Sequence, residues 1–185
     1  SATAVDRNRY DNAFRMCFSD PNQGSASADY IAENKLATKV AIIYNSSDTY
    51  SSGIYQTFAT EAKAKGLDVV AADAFRAYNM TDCAVQIQKA KDAGAELVFL
   101  PIYYQEASLI LAQANKAGFT PKWFGCDGMD GILDLDGFDA SLAEDLMFLT
   151  PFTPDSKDDK TQTFVKAYKK AFNDTPIQFA ADAYD

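Results

Sequence analysis

The chain of 185 residues carries a formal net charge of -9, with 17 basic against 26 acidic side chains, 48% hydrophobic residues and no histidine. This size and composition suit one globular domain, or one domain with pieces of a second, and the acidic balance disfavours nucleic acid and anionic membrane surfaces as partners. Lack of histidine excludes Ser-His-Asp and Cys-His catalysis and imidazole-ligated zinc within this chain, and the longest apolar runs fall far short of the ~20 residues a membrane helix needs.

In chain order, Phe14 to Phe18 is a short apolar run before the turn Asp20-Pro21-Asn22, and Gln23 to Asn34 has helical spacing through Ala26, Tyr30 and Ile31. Val40 to Tyr44 (VAIIY) is unbroken and apolar, as in a strand buried on both faces of a parallel sheet. After the loop Asn45 to Asp48, Tyr50, Ile54, Phe58 and Ala62 form a helical stripe that ends at Gly66. Leu67 to Ala72 reads as a strand, and Thr81 to Ala93 as a helix with Thr81 as candidate N-cap and Gly94 as terminator. Leu97 to Leu100 is another continuous apolar strand, followed by a helix over Glu106 to Ala117 that Gly118 ends. Lys122 to Gly125 is the next strand, and Leu146 to Thr150 a further one near the sheet edge. Beyond Pro151, the stretch PFTPDSKDDK is a linker or crossover, Lys160 to Phe172 an amphipathic helix, and Ile177 to Tyr184 a last helix.

Strands alternating with helices predict an α/β fold with a doubly wound parallel sheet, whose ligands bind beyond the carboxyl ends of the strands. Those ends are the loops Asn45 to Tyr50, Ala74 to Asn79, Pro101 to Gln105 and Cys126 to Gly131. The last opens the acidic, glycine-rich stretch FGCDGMDGILDLDGFD, Phe124 to Asp139. An EF-hand register fails there: counting back from Gly131 or Gly137 puts Cys126 or Ile132 where the first acid belongs. Gly125, Gly128 and Gly131 have the wrong spacing for a dinucleotide loop, and Asp127 and Asp130 would repel a pyrophosphate. A glycosidase-type acid pair could be drawn from Asp127 with Glu106 or Asp48, but acids are common in the loops of an acidic protein. The remaining reading makes Asp127 a buried counter-charge for a cationic ligand group, with Gly125 and Gly128 allowing close backbone approach. Tyr50, Tyr103 and Tyr104 lie at neighbouring strand ends and offer flat apolar walls with hydroxyl tips. Asp130 to Asp139 are expected to turn toward solvent. Cys17, Cys83 and Cys126 form no C-x-x-C pair and read as small buried apolar residues, so neither a zinc knuckle nor a thioredoxin-like redox site is supported; no metal site, cofactor or catalytic residue is expected in the chain.

FRMCFSDPNQG, KVAIIYNSSDTYSSG, AELVFLPIYYQEASLILAQANKAG and KWFGCDGMDG, in this order and spacing, resemble the leucine/isoleucine/valine-binding type of periplasmic binding protein, the solute receptors of branched-chain amino acid ABC importers. The resemblance implies a type I periplasmic binding fold in which two lobes close on an amino acid. Residues 1–12 would end a first-lobe loop, 13–150 would form the second lobe with its hinge strands, beginning with a crossover strand in FRMCF, and 151–185 would return to a mostly absent first lobe. Thr3, with Ser1 beside it, matches positions that bind the ligand carboxylate; Asp127 matches an acid, often Glu, that pairs with the α-ammonium; Tyr50 and one of Tyr103 or Tyr104 match pocket aromatics. The implied partners are an amino acid and an ABC permease, the implied location extracytoplasmic, and the alternative a sensor domain of the same fold with signalling output. Starting at Ser1 and stopping inside a helix at Asp185, the sequence reads as an excised piece, expected to bind amino acids weakly or not at all alone.

Overall fold

A computed structural model describes residues 12, 14–76 and 82–185. The elements alternate as α1 (Asp20–Glu33), β1 (Lys39–Asn45), α2 (Thr49–Ala64), β2 (Asp68–Phe75), α3 (Ala84–Asp92), β3 (Leu97–Leu100), α4 (Tyr104–Lys116), β4 (Lys122–Gly125) and β5 (Leu146–Phe148), then α5 (Asp159–Phe172) and α6 (Gln178–Tyr184). The strands form one sheet in the order β2-β1-β3-β4-β5, every pair parallel. This is a doubly wound order, with its switch point where the chain leaves β1 for one neighbour and returns to β3 on the other side.

Two apolar layers hold the sheet. On one face Ile54, Phe58 and Ala62 of α2 and Ala28 and Ile31 of α1 pack on Val40, Ile42, Leu97, Phe99 and Phe124. On the other, Ile87 and Ala90 of α3 and Ala107, Ile110 and Ala114 of α4 pack on Ala41, Ile43, Val98 and Leu100. Alternate residues of β1 and β3 thus feed opposite cores, which is why both strands are apolar throughout. The α5–α6 pair is joined by aromatic contacts, Phe164 meeting both Phe152 and Tyr184.

Several boundaries differ from expectation. Phe14 to Phe18 is not a strand: no described strand lies beside it to complete a ladder, and Phe14 is 89% exposed. Asp20-Pro21-Asn22 is not a turn before a helix but its first turn, because the Ser19 hydroxyl caps α1 by accepting the Asn22 N–H and proline suits the first helical positions. β2 runs on to Phe75, since it pairs with β1 along the whole of that strand. α4 begins at Tyr104, and α3 at Ala84; Thr81 lies outside the described residues.

Candidate ligand-binding site

The loop NSSD ends β1 and seats α2. The Asp48 carboxylate accepts the N–H groups of Tyr50 and Ser51 at 3.2 and 3.4 Å, so the helix starts at a fixed angle and Tyr50 projects from its first turn. On the far side of the switch point, Tyr103 follows β3 as the residue before α4. The two rings stack with centroids 4.8 Å apart and planes 22° from parallel.

Asp127 follows β4 in a short 3₁₀ turn and is 7% exposed. Its Oδ1 accepts the Tyr50 hydroxyl at 2.6 Å, while the Gly128 N–H donates to the same phenol oxygen at 3.0 Å. The Asp127 N–H donates to Gln23 Oε1 at 3.0 Å, tying the turn to α1. A side chain at position 128 would not fit: a Cβ would stand 2.8 Å from the Ile102 carbonyl oxygen and 2.9 Å from the Tyr50 hydroxyl. Glycine is therefore required by close approach rather than by backbone angle. Burial, then the Cys126 thiol and the Asp127 carboxylate, push the Tyr50 phenol well above its ordinary range and keep it a donor. Tyr103 is pushed up to about 12 by burial and by Asp48, Asp127, Asp20 and Glu106.

Tyr50, Tyr103 and Asp127 open on a cavity of about 130 Å³ that Cys17, Asp20, Phe179 and Asp182 complete. Among these described lining residues none is basic. A larger depression of about 630 Å³ lies between α5 and α6 and shares none of these lining residues. Tyr104 does not join the group; it lines another depression with Gly131 and Ile177. Ser1 and Thr3 lie outside the described residues.

Two expectations need correcting. Asp130 is not turned to solvent: it is half-buried, and its Oδ2 accepts the Gln178 N–H at 2.6 Å, because its turn packs under the start of α6. Cys83 and Cys126 are buried, but Cys17 is only half-buried because it sits on the cavity wall. Sequence reasoning also missed Gln23, Asp20, Phe179 and Asp182. For the last two, the three-residue spacing that places them on one helical face was available.

Over residues 1–185 the chain matches the profile of the family described as periplasmic binding protein. It belongs to that family. Its fold is that of a type I periplasmic binding protein lobe. A leucine-binding protein, LivK, from Thermotoga maritima superposes with a TM-score of 0.83 at 29% identity, over 92% of this chain and 48% of that one. The branched-chain amino acid transporter substrate-binding protein LivJ from Streptococcus pneumoniae, solved with isoleucine, gives 0.83 at 30% identity, over 91% and 47%. The leucine-, isoleucine-, valine-, threonine- and alanine-binding protein of Pseudomonas aeruginosa is 26% identical across 100% of this chain and 49% of its own length. The chain thus spans about half the length of these relatives. Among the described residues no helix is long and apolar enough to cross a membrane.

Proposed function

We propose that this chain is the second lobe of an extracytoplasmic receptor that binds an amino acid, branched-chain or otherwise apolar, and delivers it to an ABC permease. The observation that carries the reading is Asp127: a buried carboxylate at the switch-point end of the sheet, with no cationic side chain in ion-pair contact among the described residues. A buried charge is costly until paired, and a ligand ammonium would supply the missing positive group. The stacked Tyr50 and Tyr103 rings would wall the apolar part of such a ligand. Ser1 and Thr3 would hold its carboxylate, as the resemblance implies, and closure of the two lobes would bury the zwitterion.

The test is calorimetry on the full-length protein with leucine and isoleucine. Replacing Asp127 by Ala removes one partner of a buried charge pair and is expected to weaken binding at least roughly thirtyfold. Affinity equal to the parent's would remove Asp127 from the site.

A further inference from the structure

α6 brings to the cavity what the strand ends alone do not supply. Phe179 and Asp182 are three residues apart, so they share a face of the helix, and both line the cavity beside Tyr50, Tyr103 and Asp127. The helix is seated firmly: Gln178 is fully buried, its N–H donates to Asp130 Oδ2 at 2.6 Å, and its Oε1 accepts the Thr150 hydroxyl at 3.0 Å. Asp182 is thus a fixed part of the wall. Its carboxyl is held above the ordinary range by burial, then by Asp127 and Asp185, so it feels the charge of Asp127 within one small space.

Asp127 and Asp182, with Asp20 beside them, put three carboxyl groups on a cavity whose described lining includes no basic residue, an arrangement that favours a cation. Among the described residues no group of three His, Cys, Asp or Glu side chains could hold a metal ion, and the aromatic walls suit an organic cation better. An ammonium head carries a full charge and three donors, enough to serve both Asp127 and Asp182, whereas a hydroxyl in its place has one donor and no charge. We infer that Asp182 is a specificity-determining residue, which joins Asp127 in gripping the ligand ammonium from a second element and makes the site choose amines over isosteric hydroxy acids. This rests on the amino-acid reading proposed above.

The experiment compares the full-length parent, Asp182→Asn and Asp182→Ala by calorimetry with L-leucine, L-isoleucine and the 2-hydroxy acid analogue of each. The Asn variant keeps the size of the side chain and guards against a folding defect. Both variants are expected to weaken the amino acids roughly tenfold and the hydroxy acids less than about twofold, so that the preference for the amine shrinks. An equal loss for both ligand classes marks a merely structural role and overturns the inference, as does an unchanged ratio. If Asp127→Ala abolishes amino-acid binding while the Asp182 variants leave the ratio unmoved, this inference falls and the amino-acid reading stands. If the parent binds neither amino acid, both fall.

Discussion

The Tyr50 hydroxyl donates to Asp127 Oδ1 at 2.6 Å across 77 residues of sequence, and its oxygen takes the Gly128 N–H in return. One phenol therefore joins the first turn of α2 to the turn after β4 and orients the carboxylate. Tyr50→Phe keeps the ring stacked on Tyr103 but strips Asp127 of a donor and leaves the Gly128 N–H without its acceptor. It is expected to lower the unfolding free energy by about 1.5–3 kcal/mol, as for other hydrogen bonds to charged groups, and to weaken ligand binding. Urea unfolding of the full-length protein checks the first part, and an unchanged midpoint would show that the bond contributes nothing.

Gly128 tests the same bridge from the backbone side. An alanine methyl would stand 2.8 Å from the Ile102 carbonyl oxygen and 2.9 Å from the Tyr50 hydroxyl, and neither group can retreat without breaking a contact of the site. Gly128→Ala is expected to cost about 1–3 kcal/mol of stability through overpacking. Because the phenol is what shifts, amino-acid affinity should fall as well. Full affinity by calorimetry together with parental stability would mean that the turn has more room than this geometry gives it.

The core of the fold was legible because its signals are local. Val40 to Tyr44 and Leu97 to Leu100 are apolar without a break since each strand feeds both cores, and Gly66, Gly94 and Gly118 end their helices with positive φ. Asp127 was legible from its place after a strand and between two glycines. What escaped has partners distant in sequence. Asp130 sits in a run of acids that looks solvated, and its partner is a backbone N–H 48 residues further on. Asp182 looks like any exposed helical acid until the crossover after β5 carries α6 back over the cavity. The false strand at Phe14 to Phe18 fails for the complementary reason: its composition is strand-like, but a ladder needs a neighbour.

Asp130 also makes a pH prediction. Burial, more than Asp134 or Asp127, raises its carboxyl above the ordinary range, although the N–H groups of Gln178 and Gly131 pull the other way. With its folded-state pKa above the unfolded one, the group's favourable contribution is fully present below the unfolded value and is lost as pH rises through the folded value. Asp130→Asn removes the titration and keeps a carbonyl oxygen for the Gln178 N–H. The stability of the Asn variant relative to the parent should therefore improve as pH rises from about 4 to about 7. Urea unfolding across this window reads the difference directly, and a difference independent of pH would show that Asp130 titrates normally.

Two glycines, one in α1 and one in α2, should respond in opposite directions to the same substitution. Gly24 lets the two helices approach closely: a Cβ there would lie 2.5 Å from the Ile54 carbonyl oxygen and 2.8 Å from the Phe58 nitrogen, both backbone atoms that cannot rotate away. Gly24→Ala must push α1 off α2, and with it Gln23, whose Oε1 holds the Asp127 N–H. A loss of about 1–3 kcal/mol is expected, accompanied by weaker ligand binding. Gly53 lies inside α2 and, apart from its chain neighbours and the local helix backbone, has no atom within 4 Å of the position a methyl would take. Gly53→Ala should therefore stabilise by about 0.4–1 kcal/mol, because it restricts the unfolded chain and adds no clash, and should leave affinity unchanged. Thermal unfolding of the two variants beside the parent decides the matter: shifts of the same sign would contradict the packing described for α1 on α2.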